Sequence, residues 1–258
     1  MRLELLYNPR LLCERLAELS IERRRLAKLR GTVAGQLTTG HIDSLELLEL
    51  VRPQNPQVIY DVGANVGTWT LLAKALYPQV QVHAFEPLPM HAEKFRQLTA
   101  GLKGVHLHEI GLGPRQAQAV IKVTDFSDAS SLLKLNEEGK RLFRLNQIGE
   151  TPIQIQRLDD WVVRHHLPSP DLIKLDIQGY ELEALRGGEI SLRSANAVLT
   201  EVSFVELYQD QCLIDELAGY LRPHGFHLYA FGAKTELGKP LLQTDALFIK
   251  KSVRSKLD

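Results

Sequence analysis

The chain changes rhythm near residue 56. Before it, Leu5, Leu12, Leu16, Leu19 and Leu26 recur at roughly helical spacing, with charges between them. "IERRRLAKLR" then runs basic until Gly31. A second, short helix is expected over "DSLELLELV", with Asp43 or Ser44 at its N-cap. Residues 1–52 therefore read as a helical extension, either a cap packed on the main domain or a surface for a homodimer.

Beyond Pro56, apolar strand-like runs alternate with helical segments. "QVIYDVG", "VQVHAFEP" and "GVHLHEIGLG" predict three strands, with helices over "TWTLLAKALYP" and "MHAEKFRQLTA". "QAVIKVT" and "PIQIQRL" follow as strands, with a polar loop or helix between them. "LDDWVVRHH" predicts a helix capped near Asp159. "DLIKLDIQG" and "NAVLTEVS" predict strands, "YELEALRGG" and "IDELAGYLRPHG" helices, and "FHLYAF" and "DALFIKK" two closing strands. This alternation predicts an α/β domain over 53–258: a mostly parallel sheet with helices on both faces. Runs such as "AVLTEV" lack strict alternation, as strands buried on both sides do.

Composition narrows the function. Lysine plus arginine balance aspartate plus glutamate at 31 each, so no basic excess points to nucleic acid. No run of about 18 apolar residues predicts a membrane span. Cys13 and Cys212 lie far apart with no CxxC partner, which fits reduced thiols in a cytoplasmic protein.

The chemistry concentrates first in "YDVGANVGTW", a strand, a tight loop and a helix start. In open α/β sheets, ligands bind beyond the carboxyl ends of such strands. A dinucleotide fingerprint would read G-x-G-x-x-G; here Asn65 stands at the middle glycine and the spacing is short. A purely structural turn would also use Gly63 and Gly67 for their backbone freedom. The third reading is a loop for S-adenosylmethionine, whose ammonium and sulfonium favour a nearby carboxylate such as Asp61. Glu86, ending the second strand, can accept hydrogen bonds from ribose hydroxyls.

"YDVGANVGTWTLLAKALYP", "HAFEPLP", "ASSLL", "LDDW" and "LIKLDIQGYELEALRGG" together resemble the FkbM-type methyltransferases. The resemblance covers about residues 56–250. It implies the class I (Rossmann-like) methyltransferase fold: a seven-stranded sheet in the order 3-2-1-4-5-7-6, with the last strand antiparallel. It implies S-adenosylmethionine-dependent O-methylation, often of a sugar hydroxyl in a glycan or natural product. By that likeness Asp61, Gly63, Asn65 and Gly67 line the methionyl end, Glu86 holds the ribose, and Ile110 and Gly111 flank the adenine. Ala64, Thr68, Pro87 and Asp176 complete the expected cofactor set. Gln178 stands where the family often has glutamate. Ser130 and Ser131, in "ASSLL", are expected near the active site or at a helix N-cap.

A sugar hydroxyl needs its proton removed, so a base or a metal is useful. Asp176, ending the fourth main strand, is the first candidate catalytic residue. Its other readings are a hydrogen bond to the methionyl ammonium and helix capping. Glu201, ending the next strand, is the second. Adjacent strands lie about 4.8 Å apart, so the two carboxylates can share a divalent ion. Related sugar O-methyltransferase families use such a metal. Glu181 is expected to serve the first turn of its helix. The histidines show no metal-ligand set, Trp69 and Trp161 read as packing residues, and 125–150 reads as a lid. Alternatives to O-methylation are N-methylation of a small molecule, a nicotinamide enzyme, or an idle cofactor-binding protein on the same fold.

Overall fold

In the computed structural model, residues 9–38, 42–124, 131–143, 147–232 and 241–254 are described. The helices α1 (Pro9–Leu29) and α2 (Leu45–Val51) precede the first strand, β1 (Val58–Val62). The chain then alternates through α3 (Thr68–Leu76), β2 (Gln81–Phe85), α4 (Pro89–Leu98) and β3 (Val105–His108). The short β4 (Gly111–Leu112), β5 (Ala117–Thr124), α5 (Glu137–Phe143) and β6 (Gln147–Gln156) come next. After them run α6 (Leu158–His165), β7 (Leu172–Leu175), α7 (Glu181–Arg186), α8 (Glu189–Ser194), β8 (Ala197–Ser203) and α9 (Ile214–Leu221). β9 (Phe226–Phe231), β10 (Gln243–Lys250) and α10 (Lys251–Arg254) follow.

The main sheet has seven strands in the order β3-β2-β1-β7-β8-β10-β9. β10 runs antiparallel to both of its neighbours. Counting only this sheet's strands in chain order, that is 3-2-1-4-5-7-6, the expected class I topology. β1 is buried at all five positions because both faces are covered. Ile59 packs on one face with Leu71 and Leu72 of α3, while Tyr60 and Val62 pack on the other with Leu182 and Leu185 of α7.

Two differences from the expected elements stand out, and the described part of the segment between β5 and β6 takes the helical of its two expected forms. "GVHLHEIGLG" splits: β3 stays in the main sheet and β4 leaves it. β5 and β6 do not join the main sheet either, but pair antiparallel and form a three-stranded sheet, β4-β6-β5. Within the expected lid, 131–143 and 147–150 are described, and they hold α5 and the start of β6. Ser130 and the rest of the expected lid lie outside the described residues.

The N-terminal segment packs onto the sheet. Leu29, Leu37, Ile42, Leu45, Leu48 and Val51 belong to the same buried cluster as Ile59 and Leu247. At about 1.5–3 kcal/mol per fully buried aliphatic side chain, four such residues from α2 alone hold it firmly in place. Ser44 sits at the N-cap of α2 but makes no capping bond. Its hydroxyl donates to Asp245 in β10 instead. Asp159 likewise does not cap its own helix; it accepts from the Ile190 and Ser191 amides and so caps α8.

On the α6 side, the histidines form an aromatic stack. His83 stacks on His106 and His108 at 4.9 and 5.5 Å between ring centres. The Trp161 indole N–H donates to His108 Nδ1 at 3.2 Å. An indole nitrogen only donates, so the neutral His108 carries its proton on Nε2 and offers it to His83 Nδ1, 3.2 Å away. His83 then carries its own proton on Nε2, which is buried with no acceptor among the described residues.

Burial, reinforced by the neighbouring imidazoles, lowers both His83 and His108 from 6.5 to about 4. The folded state therefore holds them neutral, and the unfolded chain binds protons first as pH falls. The contribution of these two groups to stability is full above pH 6.5 and declines progressively toward pH 4, while the buried carboxyls of Glu181, Glu201 and Asp245, whose folded values are raised, act in the opposite sense over the same range. A shift of this size is worth about 3 kcal/mol for one group, and the shared hydrogen bond keeps the two from adding independently. Denaturant unfolding of the native chain and of His108→Gln, compared between pH 7 and 4, isolates this loss: the native chain is expected to lose more stability, or gain less, toward pH 4 than the variant. An unchanged slope in that variant would refute the assignment.

Candidate active site

A cavity of about 270 Å3 opens at the carboxyl ends of β1, β2, β7 and β8. This is where an open α/β sheet binds its ligands. Its wall includes Gly63, Ala64, Asn65 and Thr68 from the first loop, Glu86 and Pro87 after β2, and Ile110 and Gly111 beyond β3. Asp176, Gln178 and Glu201 line it after β7 and on β8, and Asp43, Ser44 and Asp245 line it from the chain's two ends.

The loop after β1 is held from several sides. Gly63 has φ 77°, and a Cβ there would lie 1.9 Å from the Asp176 carbonyl oxygen, so only glycine lets the two loops touch. The Gly63 and Ala64 amides donate to the Phe85 carbonyl at 3.0 and 3.1 Å. Asn65 takes the left-handed conformation at φ 48°. Its amide donates to one Glu86 oxygen at 2.9 Å, while the Leu88 amide donates to the other at 2.9 Å. The buried Glu86 carboxylate is thus fixed at the cavity wall with lone pairs still available for hydroxyl donors. Gly67, at φ 93°, lies off the wall; a Cβ there would meet the Phe95 ring at 2.8 Å.

A row of charges crosses the sheet below this loop. Asp61 pairs in register with Lys174, and Asp245 pairs with Glu201, all on the face covered by the N-terminal segment. Lys174 Nζ lies 3.3 Å from Asp61 Oδ1 and 3.7 Å from Asp176 Oδ2, and donates to the Gly63 carbonyl at 3.0 Å. The Thr70 hydroxyl donates to Asp61 Oδ2 at 2.6 Å. Burial pulls the Lys174 ammonium down, but Asp61, Asp176 and Asp245 more than reverse this and hold it above the ordinary lysine value. Asp61 is fully buried and absent from the cavity wall. The cation it faces in this structure is Lys174, from beneath the loop. Trp69 packs with the N-terminal cluster and also lines the cavity, with its indole N–H meeting no acceptor among the described residues.

Asp176 and Glu201 converge on one side chain. Gln178 Nε2 donates to Asp176 Oδ1 at 2.9 Å and to Glu201 Oε2 at 3.2 Å. Burial, then Asp176, Glu181 and Asp245, holds the Glu201 carboxyl well above the ordinary range. Burial, then Asp43, raises Asp245 to about 6 against the Ser44 hydroxyl. Asp176 does not cap α7. Glu181 braces that turn, accepting from the Ile177 and Gly179 amides at 2.9 and 3.2 Å. Burial still pushes the Glu181 carboxyl up to about 7.

The residues expected from sequence gather around the cavity, except that Asp61 and Gly67 stand behind its wall. Ser131 lines it as well. Sequence reading missed Lys174, Asp245 and the cavity role of Asp43 and Ser44. The signal was present in "LIKL" and "TDALFI", where single charges interrupt strands otherwise buried. Among the described residues, no group of three or more His, Cys, Asp or Glu side chains is arranged to hold a metal ion. The glycine-dependent contact at Gly63 and the braced Glu86 carboxylate fit a bound nucleoside-type cofactor.

Replacing Lys174 by methionine strands the Asp61 charge in the core. The expected cost is about 3–5 kcal/mol in denaturant unfolding. The double variant Asp61→Asn/Lys174→Met removes both charges and is expected to recover part of that loss. A cost below about 1 kcal/mol for Lys174→Met would show that the pair does not anchor the fold.

Comparison with known proteins gives a consistent picture. The Methyltransferase FkbM domain matches residues 61–228. The 2-O-methyltransferase NoeI of Sinorhizobium fredii is 29% identical over 175 residues, covering 64% of this chain and 71% of that protein. The hexuronic acid methyltransferase AglP of Haloferax volcanii is 27% identical over 163 residues, covering 63% of this chain and 62% of that protein, just under two thirds of its length. The 31-O-demethyl-FK506 methyltransferase FkbM of Streptomyces tacrolimicus is 26% identical over 201 residues, covering 67% of this chain and 74% of that protein. Among solved structures, a precorrin-6y C5,15-methyltransferase from Geobacter metallireducens matches at TM-score 0.48 and 15% identity, covering 81% of this chain and 88% of that one. The family match begins at Asp61, behind the cavity wall, and takes in Glu86, Asp176, Gln178 and Glu201: the chain belongs to the FkbM family of S-adenosylmethionine-dependent methyltransferases.

Proposed function

We propose that the chain methylates a hydroxyl of a sugar, a glycan or a glycosylated small molecule. The observation that carries this reading is the carboxylate pair Asp176 and Glu201, joined at the cavity wall by Gln178. A hydroxyl must lose a proton on methylation, and a paired carboxylate beside the cavity can accept it. The name of one relative, a 2-O-methyltransferase, supports an oxygen as the methylated atom, and that of another, a hexuronic acid methyltransferase, supports a sugar acid as acceptor.

When bound, S-adenosylmethionine supplies a methyl group already activated on a sulfonium. The chain's task is to orient the acceptor, exclude water and take up the proton. Gly63, Ala64, Asn65 and Thr68 would hold the methionyl end, with Asp61 acting on that loop through Lys174. Glu86 would take the ribose hydroxyls, and Pro87, Ile110 and Gly111 would flank the adenine. Asp176 Oδ2 would accept the proton of the acceptor hydroxyl. Glu201, held well above the ordinary carboxylate range, serves better as a hydrogen-bonding partner than as the base.

Two measurements test this. Calorimetry with S-adenosylmethionine is expected to show one site per chain, weakened at least tenfold by Glu86→Ala, a loss of about 1.4 kcal/mol. No detectable binding would sink the assignment of the cavity. Asp176→Asn is expected to slow transfer of labelled methyl to cell-derived glycans by about 100-fold or more, with cofactor affinity nearly unchanged. Unchanged turnover would remove Asp176 as the base.

A further inference from the structure

Gln178 occupies an unusual position. It lies in the loop between β7 and α7 at φ 56°, a left-handed conformation that side chains of its size rarely adopt. The surrounding contacts enforce it. The amides of Ile177 and Gly179, on either side, both donate to the buried Glu181 carboxylate. The Ser131 hydroxyl donates to the Gln178 carbonyl at 2.8 Å.

The side chain is equally determined. An amide nitrogen carries two hydrogens, and here one goes to Asp176 and the other to Glu201. The amide oxygen accepts the Tyr208 hydroxyl at 3.0 Å. Tyr208 is held in turn by its own amide, which donates to Gln211 Oε1 at 3.1 Å. A flipped amide would point its oxygen at the Asp176 carboxylate, so the orientation is fixed by charge as well as by geometry.

A divalent ion shared by Asp176 and Glu201 would need their oxygens about 2.0–2.6 Å from a common point. The amide nitrogen stands at that junction, 2.9 and 3.2 Å from the same two oxygens, with its hydrogens directed at them. It is a donor to both carboxylates and offers no lone pair to a metal. The residues present therefore do not fit a metal bridging this pair.

We infer that Gln178 is a positioning residue that takes the place of a divalent ion between Asp176 and Glu201, so that methyl transfer by this chain needs no divalent cation. The inference rests on the roles proposed above for those two carboxylates. The amide holds them together and aims Asp176 at the acceptor, while its carbonyl passes the constraint to Tyr208. Gln178→Glu keeps the shape but puts a third carboxylate at the junction, and that cluster would require a cation.

Manganese titration of the whole chain, followed by electron paramagnetic resonance, tests this without an acceptor. The native chain is expected to show no site tighter than about 1 mM, and Gln178→Glu to gain one site at least tenfold tighter. A native site tighter than about 1 mM that Asp176→Asn abolishes would overturn the inference, as would no gain in Gln178→Glu. In methyl-transfer assays, chelator is expected to leave native turnover unchanged. Gln178→Ala is expected to lower kcat about tenfold while cofactor affinity and acceptor KM stay within about threefold. Loss of cofactor affinity and thermal stability together, with kcat intact, would mark a merely structural role and overturn the positioning claim. Failure to methylate any sugar would refute the acceptor reading, and the manganese titration would still decide the bridge.

Discussion

A single buried ammonium organises the cavity. Lys174 reaches Asp61 on the neighbouring strand, the Gly63 carbonyl in the first loop and Asp176 in the second. A lysine in a strand core is costly to desolvate, and only several partners at once make it tolerable. Those partners are the groups that shape the cavity floor. Folding the sheet and placing the two loops are therefore one event: the register that brings Asp61 opposite Lys174 also brings Gly63 against the Asp176 backbone.

From this anchor the rest follows outward. Gly63 can approach Asp176 only because it has no side chain. Asn65 can then turn left-handed and present its amide to Glu86, which the Leu88 amide holds from the other side. On the second loop, Glu181 gathers two amides and leaves Gln178 facing the carboxylates. Neutral donors, the amides of Gln178 and Gln243, offset the crowding of negative charge around Glu201. The site is acidic in composition, but its charges are individually accompanied.

The main sheet was legible in the sequence because its central strands β1, β7 and β8 are short apolar runs buried on both faces and followed by helices. The loop motifs were legible because glycine and asparagine at a strand–helix turn have few other uses. The small sheet was not. "QAVIKVT" and "PIQIQRL" read as strands, but their antiparallel pairing across an intervening segment and helix is a tertiary fact with no local signal. Asp61 shows the same limit at one residue. Its charge was legible, and its direction was not, because the lysine that claims it also bonds Gly63 across a separation of 111 residues. Asp159 was misplaced for a similar reason: a cap read from neighbours in sequence serves a helix far along the chain.

The Ser44–Asp245 contact ties the cavity to segments beyond the family's matched stretch. It closes one wall of the cavity, yet both residues lie outside the stretch 61–228 that defines the family. The first loop, Glu86 and the Asp176–Glu201 pair lie inside that stretch, and this wall lies outside it. Yet α2 fills the buried cluster on one face of the sheet, and β10 runs between β8 and β9. The same segments thus serve as masonry and as lining, and any change to this wall also loads the fold.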